Sequence, residues 1–326
     1  MPESADPLTP QAILQAKPLS RGYAYSLLTL IYRSIYLANS SGFVYAGGST
    51  LLGVPHANFV FQLVARLLGK PLVGMGVSIG PFETPRDRQR VAHFLRKFSF
   101  LALRDRASFE EATAMSLPYT PVLAFDLAGL VPAVYGPPRA RRTGAERPML
   151  GLGLGHNAPY EAAKEERIKD TLIRLAQREN VSIRLCVFNG HPKYGDLRLA
   201  HRMSAALEPY CPVEVVPYTE DPGQMWRRVA ECDAFLAERL HSAIFAYMAH
   251  VPFAVVEYRR KCADFARDIG LPEFCRFPGT GPDPAAAAEL LSSLFHAPSF
   301  ADMTPQEAQA QAELNFVKAP WYVEGV

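Results

Sequence analysis

The stretch Ala234-Phe-Leu-Ala-Glu-Arg-Leu-His-Ser-Ala-Ile-Phe-Ala-Tyr-Met-Ala-His-Val-Pro-Phe-Ala-Val-Val-Glu-Tyr-Arg-Arg-Lys261 decides the fold. Its first four residues are apolar without alternation, which suits a strand buried on both faces of a parallel sheet. A sharp turn, a helical run, a second apolar strand and a charged turn entering another helix follow. Glu238, Arg239 and His241 fall where the first strand gives way to its helix. In an open α/β sheet ligands bind along that edge, and helix N-terminal amides favour anions there. By residue type, Arg239 and His241 read two ways: an anion site with a proton donor, or a salt-bridged arginine beside a capping histidine. For an isolated Arg-x-His the second is the commoner arrangement. Leu240, between them, is expected to point into the core, because side chains alternate along an extended chain.

Working outward, the same alternation fills the second half of the chain. Strands are expected over 149–154, 182–188 and 213–217, with helices over 161–178, 195–207 and 222–231 between them. A further helix follows over 260–269, and two more close the chain. The last of these starts with Thr304, Pro305 and Glu307, a capping box with proline at the first helical position. Regular βα alternation argues for a doubly wound parallel sheet. The glycines at 151, 153 and 155 either pack closely or admit a ligand. His191, in Asn189-Gly-His-Pro192, reads as a turn histidine, with substrate contact as the weaker alternative.

The first half repeats the pattern. A helix over 22–38 precedes a strand over 42–46 that ends in Gly47-Gly48-Ser49-Thr50, a turn where ligands can approach backbone amides closely. Helices over 57–68 and 85–97 alternate with strands over 71–77 and 98–103. The latter delivers Arg104-Asp105, with Ser108 in the next helix's first turn. Asp105 or Ser108 as a cap with Arg104 in solvent is one reading. Arg104 on the lip of a cleft, its planar fork suited to carboxylate or phosphate, is the other. A strand over 121–125 brings Asp126 to another strand end. Gly74-Met-Gly76 with Gly80 lacks dinucleotide spacing, and Pro81 and Pro85 interrupt the helix such a fingerprint needs, so no nicotinamide site is expected.

The proline- and arginine-bearing segment around 139–147 reads as a linker between domains at 1–138 and 148–326. A chain of 326 residues also exceeds one ordinary α/β core. A net charge of +2 offers no dense basic face for nucleic acid. The 5 cysteines are scattered, without a C-x-x-C pair, as expected of reduced, buried thiols in a cytoplasmic protein. The acidic, proline-bearing start does not read as a signal peptide. Residues 23–37 are apolar but include Arg33 and fall short of the ~18 residues a membrane span needs. They are expected to form a buried helix, with peripheral membrane contact as the alternative.

Arg239-Leu240-His241 with Ile244-Phe245-Ala246, Val251-Pro252, Tyr258, Lys261 and Phe265 resembles the C-terminal signature of polysaccharide pyruvyl transferases. Four N-terminal blocks agree: Gly47-Gly48-Ser49-Thr50-Leu51-Leu52, Gly76-Val-Ser-Ile-Gly80-Pro81, Arg104-Asp105 with Ser108, and Asp126-Leu-Ala128. No single block is specific, whereas the ordered set is. The resemblance implies a fold like GT-B glycosyltransferases: two Rossmann-like doubly wound parallel-sheet domains facing a cleft, with terminal helices crossing back onto the first. It implies transfer of a pyruvyl ketal from phosphoenolpyruvate to a sugar or lipid-linked oligosaccharide, in exopolysaccharide or cell-wall polysaccharide synthesis. It differs in two places. Family members usually carry a glycine-rich strand-turn-helix unit ahead of the Gly47 block, where about forty residues stand here. The N-terminal domain is therefore expected to be abbreviated. Ser49 also replaces the block's usual third glycine.

The resemblance makes His241 and Arg239 the catalytic pair, and gives substrate contacts to Arg104, Leu240, Lys261, Gly47, Gly48, Ser49, Asp126 and Glu238. The first domain is expected to take the acceptor and the second phosphoenolpyruvate. The chemistry wants arginines for two anions and a general acid with a pKa near ~6.5 that bound phosphate would raise. Lys261 reads as a third anion contact or as a partner for Glu238. Neither a metal nor another cofactor is expected, since no His, Cys and carboxylate cluster has ligand spacing. Two other functions fit the same architecture, a nucleotide-sugar glycosyltransferase and a non-catalytic carbohydrate-binding protein of a polysaccharide pathway.

Overall fold

Four parallel strands build the first sheet of the computed structural model, which describes residues 35–36, 38–49, 51, 56–138, 147–156, 161–298 and 300–319. The strands are β1 (Phe43–Ala46), β2 (Leu72–Val77), β3 (Phe100–Leu103) and β4 (Val122–Leu123), in the spatial order β1-β2-β3-β4. Between them run α1 (His56–Leu67), α2 (Pro85–Leu95) and α3 (Arg106–Thr113). β2 and β3 are buried at every position, as their unbroken apolar runs require. Phe94 anchors one face, in edge contact with Tyr45, Phe59 and Phe98. After β4 a 3₁₀ turn (Leu127–Leu130) leads into the short helix α4 (Val131–Tyr135). The strand expected over 121–125 is only two residues long. Asp126 ends it by accepting a hydrogen bond from the Ala128 amide at 2.9 Å, which caps the turn.

The second sheet is larger. Its strands are β5 (Met149–Gly153), β6 (Ser182–Cys186), β7 (Val213–Val216), β8 (Ala234–Ala237), β9 (Phe253–Glu257) and β10 (Arg276–Pro278). They alternate with α5 (Glu161–Arg178), α6 (Leu197–Leu207), α7 (Pro222–Ala230), α8 (Leu240–Met248) and α9 (Arg260–Asp268). The spatial order is β10-β9-β8-β5-β6-β7, all parallel. Numbered within the sheet, that is the 3-2-1-4-5-6 order of a doubly wound dinucleotide-type fold. The strand order reverses between β5 and β8, where such sheets open a crevice beyond the strands' carboxyl ends. Glu238, Arg239 and His241 sit at that point. No described helix is long and apolar enough to cross a membrane.

Of the undecided glycines, Gly151 and Gly153 are packing devices. A Cβ on Gly151 would meet Phe235 Cδ2 at 2.3 Å, and one on Gly153 would meet Ser242 Cβ at 2.2 Å. Gly153 thus lets α8 start hard against β5. Gly153→Ala is expected to cost about 1–3 kcal/mol by overpacking. A urea midpoint equal to wild type would show that α8 can shift freely.

The last two helices are α10 (Pro284–His296) and α11 (Pro305–Val317). Thr304 and Glu307 form the expected capping box. α11 crosses back: Leu314 and Ala319 pack against Val73, Met75, Phe100, Ala102 and Ala124 of the first half. Asn315 Nδ2 donates to the Phe125 carbonyl at 3.0 Å. Two further bonds tie the halves, from the Arg106 amide to Asp268 Oδ2 at 2.9 Å and from Trp226 Nε1 to the Gly136 carbonyl at 3.2 Å. The expected linker lies outside the described residues except for Arg147 and its flanks. The expected helix over 22–38 does too, save helical positions 35, 36 and 38.

Candidate active site between the two sheets

The carboxyl ends of both sheets meet in one cleft. β1 contributes the Gly47-Gly48-Ser49 turn, where both glycines take positive φ, +62° and +75°. Side chains with a Cβ resist that conformation, which explains the two glycines. β2 contributes Ser78 and β3 Arg104-Asp105. Asp105 caps α3 by accepting from the Ser108 amide at 2.7 Å and also takes the Ser78 hydroxyl at 2.6 Å. Ser108 Oγ accepts from the Ile79 amide at 2.9 Å. These bonds lace the ends of β2 and β3 into one rigid rim. Asp105 is therefore the cap that one reading of the sequence gives it.

Arg104 does not stand in solvent, nor is its fork free. It is buried, and its Nη1 pairs with Asp126 Oδ2 at 2.7 Å. Nε donates to Ser78 Oγ at 2.8 Å and Nη2 to Ser49 Oγ at 3.4 Å. A buried guanidinium needs such partners to offset desolvation. Arg239 is likewise engaged: Nε and Nη2 fork onto both carboxylate oxygens of Asp196, with Nε to Oδ2 at 2.9 Å. Its guanidinium also meets the Tyr258 hydroxyl. Asp196 is nearly fully buried and accepts the His156 amide at 3.0 Å as well. Arg239 therefore holds the switch-point turn to the neighbouring loop rather than presenting an open fork.

Two further expectations are corrected. Glu238 has no solvent contact, pairs with the buried Lys164, and accepts the Gly155 amide at 2.8 Å. It is not a partner of Lys261 and offers no edge to a substrate. Leu240 packs in the main core at 5% exposure, so its side chain is structural, as alternation along the turn requires. His191 is a turn residue: its Nδ1 accepts from the Lys193 and Tyr194 amides at 3.1 and 3.0 Å.

Lys261 and Arg259 behave differently. Neither has a carboxylate partner among the described residues. Burial holds the Lys261 ammonium below its ordinary pKa, and the cations Arg104, Arg259 and Arg239 push it the same way. Both residues stand at the start of α9, whose N-cap is Arg259 without a side-chain cap bond and whose first turn has no acidic residue. The Cys262 amide donates to the Arg259 carbonyl at 2.9 Å, which leaves the Arg260 and Lys261 amides of the first turn open to an anion. Facing them across about 420 Å³ of cavity are Ser49, Ser78 and Ser108, with Asp105 and Asp264 at its edge. Asp264 is occupied by Arg267 at 3.0 Å and Arg260 at 3.3 Å. This is a polar pocket with surplus positive charge, formed by both halves of the chain. Arg259 escaped the sequence reading, although Tyr258-Arg-Arg-Lys261 at a strand end carried its signal.

His241, in the first turn of α8, is exposed to solvent. Its surroundings nonetheless desolvate the ring enough to lower its pKa. Asp126 opposes that shift, while Arg104 and Lys261 reinforce it. Arg104, Asp126, Lys261 and His241, from opposite halves, are thus close enough for their charges to act on one another. On its other side His241 lines a second cavity of about 440 Å³ with mostly apolar walls. The imidazole thus lines the apolar cavity and lies within electrostatic reach of Lys261, which lines the cationic one.

Solved structures share this arrangement at low identity. A UDP-N-acetylglucosamine 2-epimerase from Methanocaldococcus jannaschii aligns at TM-score 0.59 and 11% identity, over 90% of this chain and 82% of its own. The Neisseria meningitidis UDP-GlcNAc 2-epimerase bound to UDP-GlcNAc aligns at 0.55 and 10%, over 91% and 78%. At such identity the likeness establishes the fold, the two-sheet GT-B type. The family model described as polysaccharide pyruvyl transferase matches residues 12–260, more than half of the chain, and takes in both cleft rims. The protein is a transferase-type enzyme, and it belongs to the polysaccharide pyruvyl transferase family.

Proposed function

We propose that the cleft transfers a pyruvyl ketal from phosphoenolpyruvate to two hydroxyls of a sugar. What supports this reading is the pocket at the start of α9, where Arg259 and Lys261 have no carboxylate partner among the described residues and stand with serines and two open amides. Phosphoenolpyruvate, with a phosphate and a carboxylate on three carbons, is a compact dianion or trianion of the kind such a pocket favours. In the proposed reaction, protonation of the methylene carbon by His241 leaves cationic character on the central carbon. One sugar hydroxyl attacks there, phosphate departs with the bridging oxygen, and a second hydroxyl closes the ketal. Of the two hydroxyl protons released, one replaces the proton given by His241 and the other leaves on phosphate. Arg104, Asp126 and Arg239 act by position in this scheme: they fix the rim and the switch-point turn on which His241 stands.

A charged contact of this kind is worth about 1.5–3 kcal/mol, or about 10- to 100-fold in affinity. Lys261→Ala and Arg259→Ala are each expected to weaken phosphoenolpyruvate binding by that factor, measured by titration calorimetry at fixed ionic strength. Titration with UDP-N-acetylglucosamine provides the other arm. Binding of the nucleotide sugar without binding of phosphoenolpyruvate would overturn the donor assignment in favour of a glycosyltransferase.

A further inference from the structure

The apolar cavity behind His241 has features that the donor does not need. Its walls come from both halves: the 3₁₀ turn and α4 on one side, the ends of β6 and β7 and the face of α8 on the other. None of its described lining residues is lysine or arginine, so they do not favour a phosphate or carboxylate. Two tyrosines stand at its rim, Tyr135 at 38% and Tyr218 at 48% exposure. Each ring lies against a residue without a side chain. A Cβ on Gly223 would meet Tyr135 Cδ1 at 2.4 Å, and one on Gly190 would meet Tyr218 Cδ1 at 2.2 Å. Both rings are therefore held by close backbone contact on one side while still reaching solvent. Beneath them Phe188 packs edge-on against Phe245 at 5.7 Å, giving a firm floor. The polar groups of the lining include Glu220 and Thr219, beside His241 itself.

We infer that this cavity is the acceptor subsite and that it takes an uncharged pyranose ring, laid on Tyr135 and Tyr218 and hydrogen-bonded through its hydroxyls by Glu220. A pyranose presents an apolar C–H face and a polar hydroxyl edge. Rigid aromatic faces with a single carboxylate match it, and the volume lies in the range of small-molecule sites, ~300–1,000 Å³. An anionic sugar such as a uronate would meet Glu220 with no lysine or arginine among the described lining residues to compensate it, which selects against it. The inference rests on the reading of the cleft as a sugar-transferase site. It moves the acceptor from the first domain alone to a pocket shared by both halves, reached across His241 from the donor.

Saturation-transfer NMR on the full chain reads the cavity without phosphoenolpyruvate. The probes are a panel of neutral methyl hexopyranosides, with methyl glucuronide as the charged comparison. At least one neutral glycoside is expected to bind, and the glucuronide at least several-fold more weakly. Tyr218→Ala and Tyr135→Ala should each raise the dissociation constant about 10-fold, since losing an aromatic face costs up to about 1.5 kcal/mol. Tyr218→Phe, which keeps the face, should hold within about 3-fold. Should an alanine variant fail to melt cooperatively, Tyr218→Leu keeps the bulk without the π face and carries the same 10-fold expectation. No binding by any neutral glycoside, or binding untouched by both alanine variants, overturns the inference. So does a glucuronide that binds as well as the best neutral probe. Glycoside binding that depends on the tyrosines in a protein that ignores phosphoenolpyruvate would sustain the subsite and sink the donor assignment alone.

Discussion

His241→Asn is expected to hold phosphoenolpyruvate affinity within a few-fold while losing roughly 10²- to 10⁴-fold in turnover, the range for removal of a general acid. The split follows from where the imidazole stands. It lies within electrostatic reach of Lys261 but is not among the groups lining the anion pocket, which are Arg259, Lys261, the serines and the α9 amides. Asparagine keeps hydrogen-bonding capacity at the turn without a transferable proton. The pH profile carries the sign. In the free protein desolvation by its surroundings sets the His241 pKa below its ordinary value, and Arg104 and Lys261 hold it down further against Asp126, which favours the neutral ring. A bound phosphate and carboxylate bring negative charge that favours the imidazolium, so the acid is armed in the complex. Turnover should fall as pH rises through the pKa of the complex, and that limb should be absent from the variant's residual activity. Near wild-type turnover in His241→Asn would place the acid elsewhere.

The largest stability loss should come from Lys164→Met. Lys164 and Glu238 form an ion pair with side-chain exposures of 5% and 0%, and Glu238 also accepts the Gly155 amide at the end of β5. Removing one partner leaves a carboxylate buried without its counter-ion, which typically costs about 3–5 kcal/mol. Glu238 immediately precedes Arg239 and His241, so relaxation around it also displaces the catalytic turn. The double variant Lys164→Met with Glu238→Gln should recover much of the stability, because no buried charge is then left over. Urea unfolding of the single and double variants measures both values. A single variant within about 1 kcal/mol of wild type would show that water reaches Glu238.

Much of the architecture could be read from the chain because buried parallel strands leave continuous apolar runs. Ala234–Ala237 and Phe253–Glu257 lie where their composition puts them. The crossing of α11 onto the first sheet followed from analogy, and Leu314 and Ala319 make it. The site was legible in position but less so in bonding. Strand ends announce that Arg104, Arg239 and Glu238 stand at the cleft. They do not announce which charged partner each meets, because Asp126, Asp196 and Lys164 lie 22, 43 and 74 residues away. A guanidinium facing a ligand and one locked to a distant aspartate look the same in sequence. Arg259, in the same charged turn as Lys261, shows the reverse case of a cation for which no carboxylate among the described residues folds back to pair with it. The tyrosine platforms were equally hidden, since they depend on Gly190 and Gly223 meeting rings from remote segments.

The most direct test follows phosphate and product together. The wild-type chain, phosphoenolpyruvate and a panel of neutral sugars and lipid-linked oligosaccharides are incubated, and released phosphate is compared with acceptor converted. Phosphate release that requires an acceptor, matches it one for one with a pyruvyl ketal on two of its hydroxyls, and is lost in His241→Asn is the expected result. Release of a nucleoside diphosphate from a nucleotide sugar, with phosphoenolpyruvate left intact under every acceptor, would contradict it.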